Sequence, residues 1–130
     1  MKVLNFEDSV YKANAIRKIL GNRCGVASGE QVSNVEDGLK MLKDAESAGE
    51  PFDLIITDMH YPMKQGAVSD TEAGEKLVQI LQERGNQTNI IVCSSRNMKL
   101  PGVYGCIWYS EISDWEEELC DLVREMEKSK

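Results

Sequence analysis

The sequence has 130 residues, of which 42% are hydrophobic, and its net charge is −7 at neutral pH. This length suits one domain with a buried core, and the composition excludes disordered, collagen-like and coiled-coil chains. The acidic charge argues against direct binding to a nucleic-acid backbone, and no apolar run approaches the roughly 20 residues that a membrane span needs. The charged N-terminus is unlike a signal peptide, so we expect one soluble cytoplasmic domain over residues 1–130.

Short apolar runs alternate with amphipathic segments in the first half of the chain. Residues 2–6 predict a first strand, and a first helix that ends at Gly21 is indicated by a stripe of apolar residues, Val10, Ala13, Ile16 and Leu20. Residues 31–35 are a weaker strand candidate, and Asp37 and Gly38 lead into a second helix. Residues 53–57 are apolar between polar ends, as in a central parallel strand buried on both faces.

The alternation continues in the second half. A third helix around Leu77 follows a long link, in which Ser69 or Thr71 is the candidate N-cap. Residues 89–93 and 105–108 predict two more strands, and a capping box formed by Ser113 and Glu116 predicts the start of the last helix. Five strands alternating with helices predict an α/β fold with a parallel sheet between helix layers. The segment between the last two strands is short, so we expect the fourth helix to be shortened or absent.

Three acidic residues follow predicted strands. Glu7 and Asp8 come after the first strand, and Asp58 comes after the third. Sites in parallel sheets form at the carboxyl ends of the strands, so we expect these carboxylates to lie within a few ångströms of each other. Like charges that close raise each other's pKa, and a hard cation such as Mg²⁺ relieves the repulsion. The alternative for any single acid is helix capping or exposure to solvent.

The four cysteines have neither the close pairs of a zinc site nor the setting of a small secreted disulfide framework. We therefore predict that they are buried, reduced thiols: Cys24, Cys93, Cys106 and Cys120.

Four segments together resemble the receiver domains of two-component response regulators. They are Lys-Val-Leu-Asn-Phe-Glu-Asp-Ser at residues 2–9, Val-Ser-Asn-Val-Glu-Asp-Gly-Leu-Lys-Met-Leu at 32–42, Phe-Asp-Leu-Ile-Ile-Thr-Asp-Met-His-Tyr-Pro-Met at 52–63 and Ile-Ile-Val-Cys-Ser-Ser at 90–95. The resemblance spans essentially the whole chain. It implies a flavodoxin-like, doubly wound, five-stranded parallel sheet of order 2-1-3-4-5 with helices on both faces.

The resemblance also implies a phosphoacceptor site. Asp58 would accept a phosphoryl group from a sensor histidine kinase or phosphotransfer protein, and Ser94 would hydrogen-bond a phosphoryl oxygen. The implied Mg²⁺ ligands are the carboxylates of Glu7, Asp8 and Asp58 and the backbone carbonyl of His60. Such a domain catalyses its own phosphotransfer and is not a metabolic enzyme.

The sequence departs from the family pattern at several positions. Tyr109 stands where the family has a lysine after the fifth strand, and Cys106 replaces the usual aromatic switch residue. A cation from Lys64, Arg96 or Lys99 is a candidate substitute. The link at residues 63–74 is about two helical turns longer than usual, and we expect it to overhang the acidic site.

Two functional hypotheses follow. The first is a stand-alone receiver that passes on its phosphorylation state through an unknown output protein, because no DNA-binding segment follows Lys130. The second is a pseudo-receiver that binds proteins without phosphorylation; homodimerisation is an option under either. A small phosphohydrolase would need a second acid in an Asp-x-Asp motif, and a flavin-nucleotide binder would need a phosphate-binding loop after the first strand.

Overall fold

The computed structural model describes residues 1–26 and 28–129. Its strands are β1 (Lys2–Phe6), β2 (Ser28–Val32), β3 (Leu54–Thr57), β4 (Tyr61–Pro62), β5 (Ser69–Asp70), β6 (Asn89–Ser94) and β7 (Gly105–Trp108). Its helices are α1 (Val10–Arg23), α2 (Val35–Ser47), α3 (Ala73–Glu83) and α4 (Trp115–Lys128). None of the helices in the described ranges combines the length and the apolar character that crossing a membrane requires.

Five strands form one parallel sheet in the order β2-β1-β3-β6-β7. This is the predicted 2-1-3-4-5 order, because β4 and β5 pair only with each other in a short antiparallel hairpin within the long link. Among the described residues, none between β6 and β7 is helical, which confirms the prediction of a shortened or absent fourth helix.

Each face of the sheet carries a separate apolar core. Leu4, Phe6 and Ile55 pack on one face with the apolar sides of α2 and α3. Val3 and Ile56 point to the opposite face and pack with α1 and α4. All four residues of β3 are buried, as expected for a central parallel strand covered on both sides.

Several local predictions need correction. Helix α1 continues through Gly21 to Arg23, and Val10 is 65% exposed, so Val10 does not belong to the buried stripe. The second strand lies at Ser28–Val32 and not at residues 31–35. This strand is rich in polar residues, and its pairing with β1 decides its position.

The predicted caps of α3 and α4 are also wrong. The residue before α3 is Glu72, and Ser69 lies in β5. The residue before α4 is Asp114, and no side-chain cap bond is present. The Ser113 hydroxyl instead donates to the carbonyl of Trp108 at 2.6 Å, which ties the start of α4 to the end of β7.

Two of the four cysteines are joined in a disulfide between the end of α1 and α4. Cys24 and Cys120 are 96 residues apart in sequence and are brought together because both helices cover the same face of the sheet. The prediction of four reduced thiols is therefore wrong for this pair. Cys93 and Cys106 are free thiols; Cys93 is buried and Cys106 is partly exposed.

Candidate phosphoacceptor site

The candidate site lies at the carboxyl edge of the sheet, where backbone hydrogen bonds extend the strand pairing by one residue. Glu7 N–H donates to the carbonyl of Val32 at 2.9 Å, and Asp58 N–H donates to that of Phe6 at 3.1 Å. Tyr109 N–H likewise donates to the carbonyl of Ser94 at 2.7 Å. These bonds fix the residues that follow β1, β3 and β7 in neighbouring positions, as the sequence predicts for a parallel sheet.

Two cavities adjoin Asp58. The larger, about 520 Å³, is lined in part by Glu7, Asp8, Lys12, Asp58 and Tyr109. The smaller, about 120 Å³, is lined by Asp58, Met59, His60, Thr71, Ser94, Ser95 and Arg96. The structure thus brings all of the residues predicted for the site around one carboxylate, in two groups.

A buried lysine occupies the centre of this acidic edge. The ammonium of Lys12 lies 2.9 Å from Glu7 Oε1 and 3.4 Å from Asp58 Oδ1, and it donates to the carbonyl of Cys93 at 2.7 Å. The Lys12 side chain is only 9% exposed and that of Glu7 only 2%. Lys12 therefore joins the ends of β1, β3 and β6 through one positive charge.

The start of α1 explains the position of Lys12. Ser9 caps the helix, because its hydroxyl accepts the N–H of Lys12 at 3.2 Å. Lys12, Ala13, Ile16 and Leu20 are the buried residues of α1. Lys12 stands at the end of this stripe nearest the strand ends, so its side chain reaches the carboxylates. Sequence reasoning missed it because a single lysine near the start of a helix is usually a solvated surface residue.

The charges of Lys12 and Glu7 depend on each other. Burial raises the pKa of the Glu7 carboxyl, and the nearby Lys12 ammonium only partly offsets this effect. Burial lowers the pKa of Lys12, but the carboxylates of Asp58 and Glu7 outweigh it and raise that pKa above its ordinary value. Lys12 is therefore positively charged over the whole physiological pH range.

Asp58 keeps one carboxylate oxygen open to the cavities. Its Oδ1 accepts the Met59 N–H at 2.7 Å and faces Lys12, whereas its Oδ2 contacts no hydrogen-bond donor in the described part of the chain. The Asp58 side chain is 15% exposed. A carboxylate that is partly screened from water and has one free oxygen can act as a nucleophile.

Two buried hydroxyl groups hold the loop that follows Asp58. Thr57 Oγ1 donates to the carbonyl of Asp58 at 2.7 Å and is 2.8 Å from Tyr61 Oη. Because Thr57 uses its only proton on the carbonyl, Tyr61 is the donor between the two hydroxyls. Tyr61 is completely buried. Through Thr57, Tyr61 of hairpin strand β4 thus supports the backbone at Asp58, a role that the sequence did not reveal.

The remaining predicted residues surround Asp58 at different depths. Ser94 is 2% exposed, and its hydroxyl accepts the Arg96 N–H at 3.1 Å. Asp8 and His60 are both exposed; Asp8 lines the larger cavity and His60 lines the smaller one. The Tyr109 ring packs on Trp115 with 4.9 Å between centroids and lies 5.1 Å from the Lys12 ammonium.

In the described part of the chain, none of the three residues suggested to replace a lysine at residue 109 forms an ion pair with Asp58. Arg96 lines the smaller cavity, but its guanidinium donates to the carbonyl of Thr71 at 3.3 Å. Within the described ranges, neither Lys64 nor Lys99 forms an ion pair with Asp58, whose cationic partner is Lys12. Of the long link, Thr71 reaches the smaller cavity, and Gly66 lines neither cavity.

The acidic edge offers two carboxylates to a metal ion, those of Asp8 and Asp58. In residues 1–26 and 28–129, no three histidine, cysteine or acidic side chains are gathered as a ready-made metal site. Glu7 directs its oxygens to Lys12 and to the Ser9 N–H. Asp8 and Asp58 line the same cavity and remain available, and Mg²⁺ usually needs only one or two carboxylates besides water and phosphate. The donor set therefore fits a water-rich Mg²⁺ site.

Comparison with solved structures identifies the fold. The response regulatory domain of MrkE from Klebsiella pneumoniae is 15% identical, with a TM-score of 0.74 over 99% of this chain and 97% of that one. The phosphorylated cyanobacterial phytochrome response regulator RcpA is 17% identical, with a TM-score of 0.70 over 98% and 91%. The receiver domain of the Arabidopsis thaliana histidine kinase CKI1, complexed with Mg²⁺ and BeF₃⁻, is 19% identical, with a TM-score of 0.64 over 98% and 89%.

These similarities confirm the receiver fold that the sequence predicted. No protein-family model matches the chain, and no curated protein matches its sequence. At identities of 15–19%, the property that this chain shares with these domains is the fold.

Proposed function

We propose that this chain is a receiver domain that accepts a phosphoryl group on Asp58 with the help of Mg²⁺ and signals by protein–protein contact. The observation that carries the proposal is the difference between the two oxygens of the Asp58 carboxylate. Oδ1 accepts the Met59 N–H and faces Lys12, whereas Oδ2 contacts no hydrogen-bond donor in the described part of the chain. Asp58 lines both cavities. Two similar folds, one phosphorylated and one complexed with Mg²⁺ and BeF₃⁻, support the same chemistry.

The proposed ligands of Mg²⁺ are the carboxylates of Glu7, Asp8 and Asp58 and the backbone carbonyl of His60. When bound, Mg²⁺ would neutralise charge on the transferring phosphoryl group. Asp8 and Asp58 are the better placed of these acids, because Glu7 is already paired with Lys12.

The residues of the chain have separate roles in the proposed transfer. A carboxylate oxygen of Asp58 forms a bond to phosphorus, while the bond from phosphorus to the donor breaks and its electron pair leaves with the donor group. Ser94, which lines the same small cavity as Asp58, would donate its hydroxyl proton in a hydrogen bond to a phosphoryl oxygen. Tyr109 would enclose the part of the site formed by the larger cavity, which it lines together with Glu7 and Asp8.

The proposed partners and location follow from this chemistry. The phosphoryl donor would be a sensor histidine kinase or a phosphotransfer protein in the cytoplasm, and the output would be a second protein. The surface formed by residues 95–104, which lack a helix, differs from the helical surface that the family pattern predicts at this place. We propose that the output partner recognises this altered surface.

The second candidate function is a pseudo-receiver that binds proteins without being phosphorylated. The observation that favours it is the Lys12 ammonium, which neutralises Glu7 and Asp58 without a metal ion. In this case the acidic edge would be a structural ion-pair network, and Asp58 would not react.

The two functions are distinguished by incubating the protein with acetyl phosphate and Mg²⁺ and measuring its intact mass. The phosphoacceptor proposal predicts a gain of one phosphoryl group that is absent without Mg²⁺ and absent in Asp58→Asn. Asp53→Asn, which changes an acid at the opposite end of β3, is the matched control and should gain the group. No gain in the wild type would support the pseudo-receiver.

A further inference from the structure

The positive charge of the acidic edge comes from a helix and not from the end of β7. Lys12 is in the first turn of α1, and its ammonium lies within 3.4 Å of carboxylates that follow β1 and β3. It also donates to the carbonyl of Cys93 at 2.7 Å, so its direction is fixed from three sides. A flexible surface lysine would not be held in this way.

The aromatic ring of Tyr109 also lies next to the Lys12 ammonium. It directly follows β7, and its backbone is fixed by the 2.7 Å bond to Ser94. The centroid of its ring lies 5.1 Å from Lys12 Nζ. The side chain at residue 109 therefore lies beside the Lys12 ammonium in the lining of the same cavity, although the two come from different elements.

We propose that Lys12 binds the phosphoryl group transferred to Asp58, replacing from α1 the cation that residue 109 does not provide from β7. The inference rests on the proposed phosphoacceptor function of Asp58. A phosphoryl group on Asp58 brings negatively charged oxygens next to an ammonium that already contacts the same carboxylate. Lys12 neither gains nor loses a proton in the transfer; its charge stabilises the charge that develops on the phosphoryl oxygens.

The test measures the rate of phosphorylation by acetyl phosphate and Mg²⁺ in four proteins, using intact mass. They are the wild type, Lys12→Gln, Lys18→Gln and the double variant Lys12→Gln/Tyr109→Lys. Glutamine retains a donor for the Cys93 carbonyl and removes the charge. Lys18 is an exposed lysine of the same helix and serves as the control.

We expect Lys12→Gln to slow phosphorylation by about tenfold or more, because the loss of one preorganised donor commonly costs 10²–10³ in rate. Lys18→Gln should react like the wild type. The double variant should recover most of the rate, since a lysine at residue 109 would return the charge to the same place. A purely structural role for Lys12 would leave the rate of the folded Lys12→Gln protein unchanged. Circular dichroism establishes that each variant is folded. If Lys12→Gln is not, all four rates are measured in trimethylamine N-oxide, an osmolyte that stabilises the folded state.

The outcomes separate this inference from the function on which it rests. A phosphorylated wild type, with folded Lys12→Gln reacting at the same rate, would overturn the role of Lys12 alone. Failure of the folded double variant to recover any of the rate would also contradict a role based on charge. A wild type that takes up no phosphoryl group would overturn the proposed function and this inference together.

Discussion

The ammonium of Lys12 lies 2.9 Å from the carboxylate of Glu7, and both side chains are almost completely buried. Removal of one partner of such a pair leaves an uncompensated charge in the interior. We therefore predict that Lys12→Met lowers the free energy of unfolding by about 3–5 kcal/mol, as measured by urea denaturation.

The same pair gives a double-mutant test. Because Glu7→Gln/Lys12→Met removes both charges, its loss of stability should be clearly smaller than the sum of the two single losses. Lys18→Met, on the exposed side of α1, should change stability by less than about 0.5 kcal/mol. Additive losses from Glu7→Gln and Lys12→Met would show that the two residues do not interact.

The disulfide between Cys24 and Cys120 should be measurable as a stability contribution. It closes a loop with a sequence separation of 96 residues, which constrains the unfolded chain. We predict that a reductant lowers the free energy of unfolding of the wild type by about 2–4 kcal/mol and has no effect on Cys24→Ala. Cys106→Ala, which removes a free thiol, should keep the response to the reductant. Four alkylatable thiols in the unfolded, non-reduced wild type would contradict the disulfide.

Gly74 at the start of α3 packs directly against Asp58 and Met59, the two residues that follow β3. A side-chain carbon at this residue would collide with the carbonyl of Asp58 and with Met59. Gly74→Ala should therefore destabilise the protein by about 1–3 kcal/mol and reduce phosphorylation of Asp58, because the loop has to move. The control is Gly29→Ala in β2, where an added carbon meets nothing within 4 Å. Equal stability and equal phosphorylation of the two variants would show that the loop tolerates the displacement.

Cys93 should make the protein less stable in alkaline solution. Burial raises the pKa of its thiol to about 12, from an ordinary value of 9.0. Above pH 9 the unfolded chain loses this proton first, so the free energy of unfolding falls as the pH rises towards 12. Between pH 7.5 and 10.5 the loss from this thiol is about 2 kcal/mol. Cys93→Val should show a correspondingly smaller loss in urea denaturation over this range, and an identical pH dependence would exclude the contribution of Cys93.

The parts of the fold that the sequence predicted are those that depend on local patterns. The apolar runs at residues 54–56 and 90–92 each indicate a strand buried on both faces, because a short continuous apolar segment is typical of a central parallel strand. Glu7, Asp58 and Ser94 could be placed together because each stands at the end of a strand in the same parallel sheet.

The features that the sequence did not reveal depend on contacts between distant elements. Lys12 is polar in an amphipathic helix, and only the position of α1 over the strand ends makes it a buried cation. Cys24 and Cys120 meet because α1 and α4 share one face of the sheet. The strand Ser28–Val32 has little apolar character, so its pairing with β1 defines it.

Phosphorylation of Asp58 can be tested by locating the phosphoryl group within the chain. The protein is phosphorylated with acetyl phosphate and Mg²⁺ and treated with borohydride, which converts a phosphorylated aspartate into homoserine, and its peptides are analysed by mass spectrometry. We predict homoserine at residue 58 and at no other acidic residue. Modification at Glu7 or Asp8 with residue 58 unchanged, or no modification at all, would contradict it.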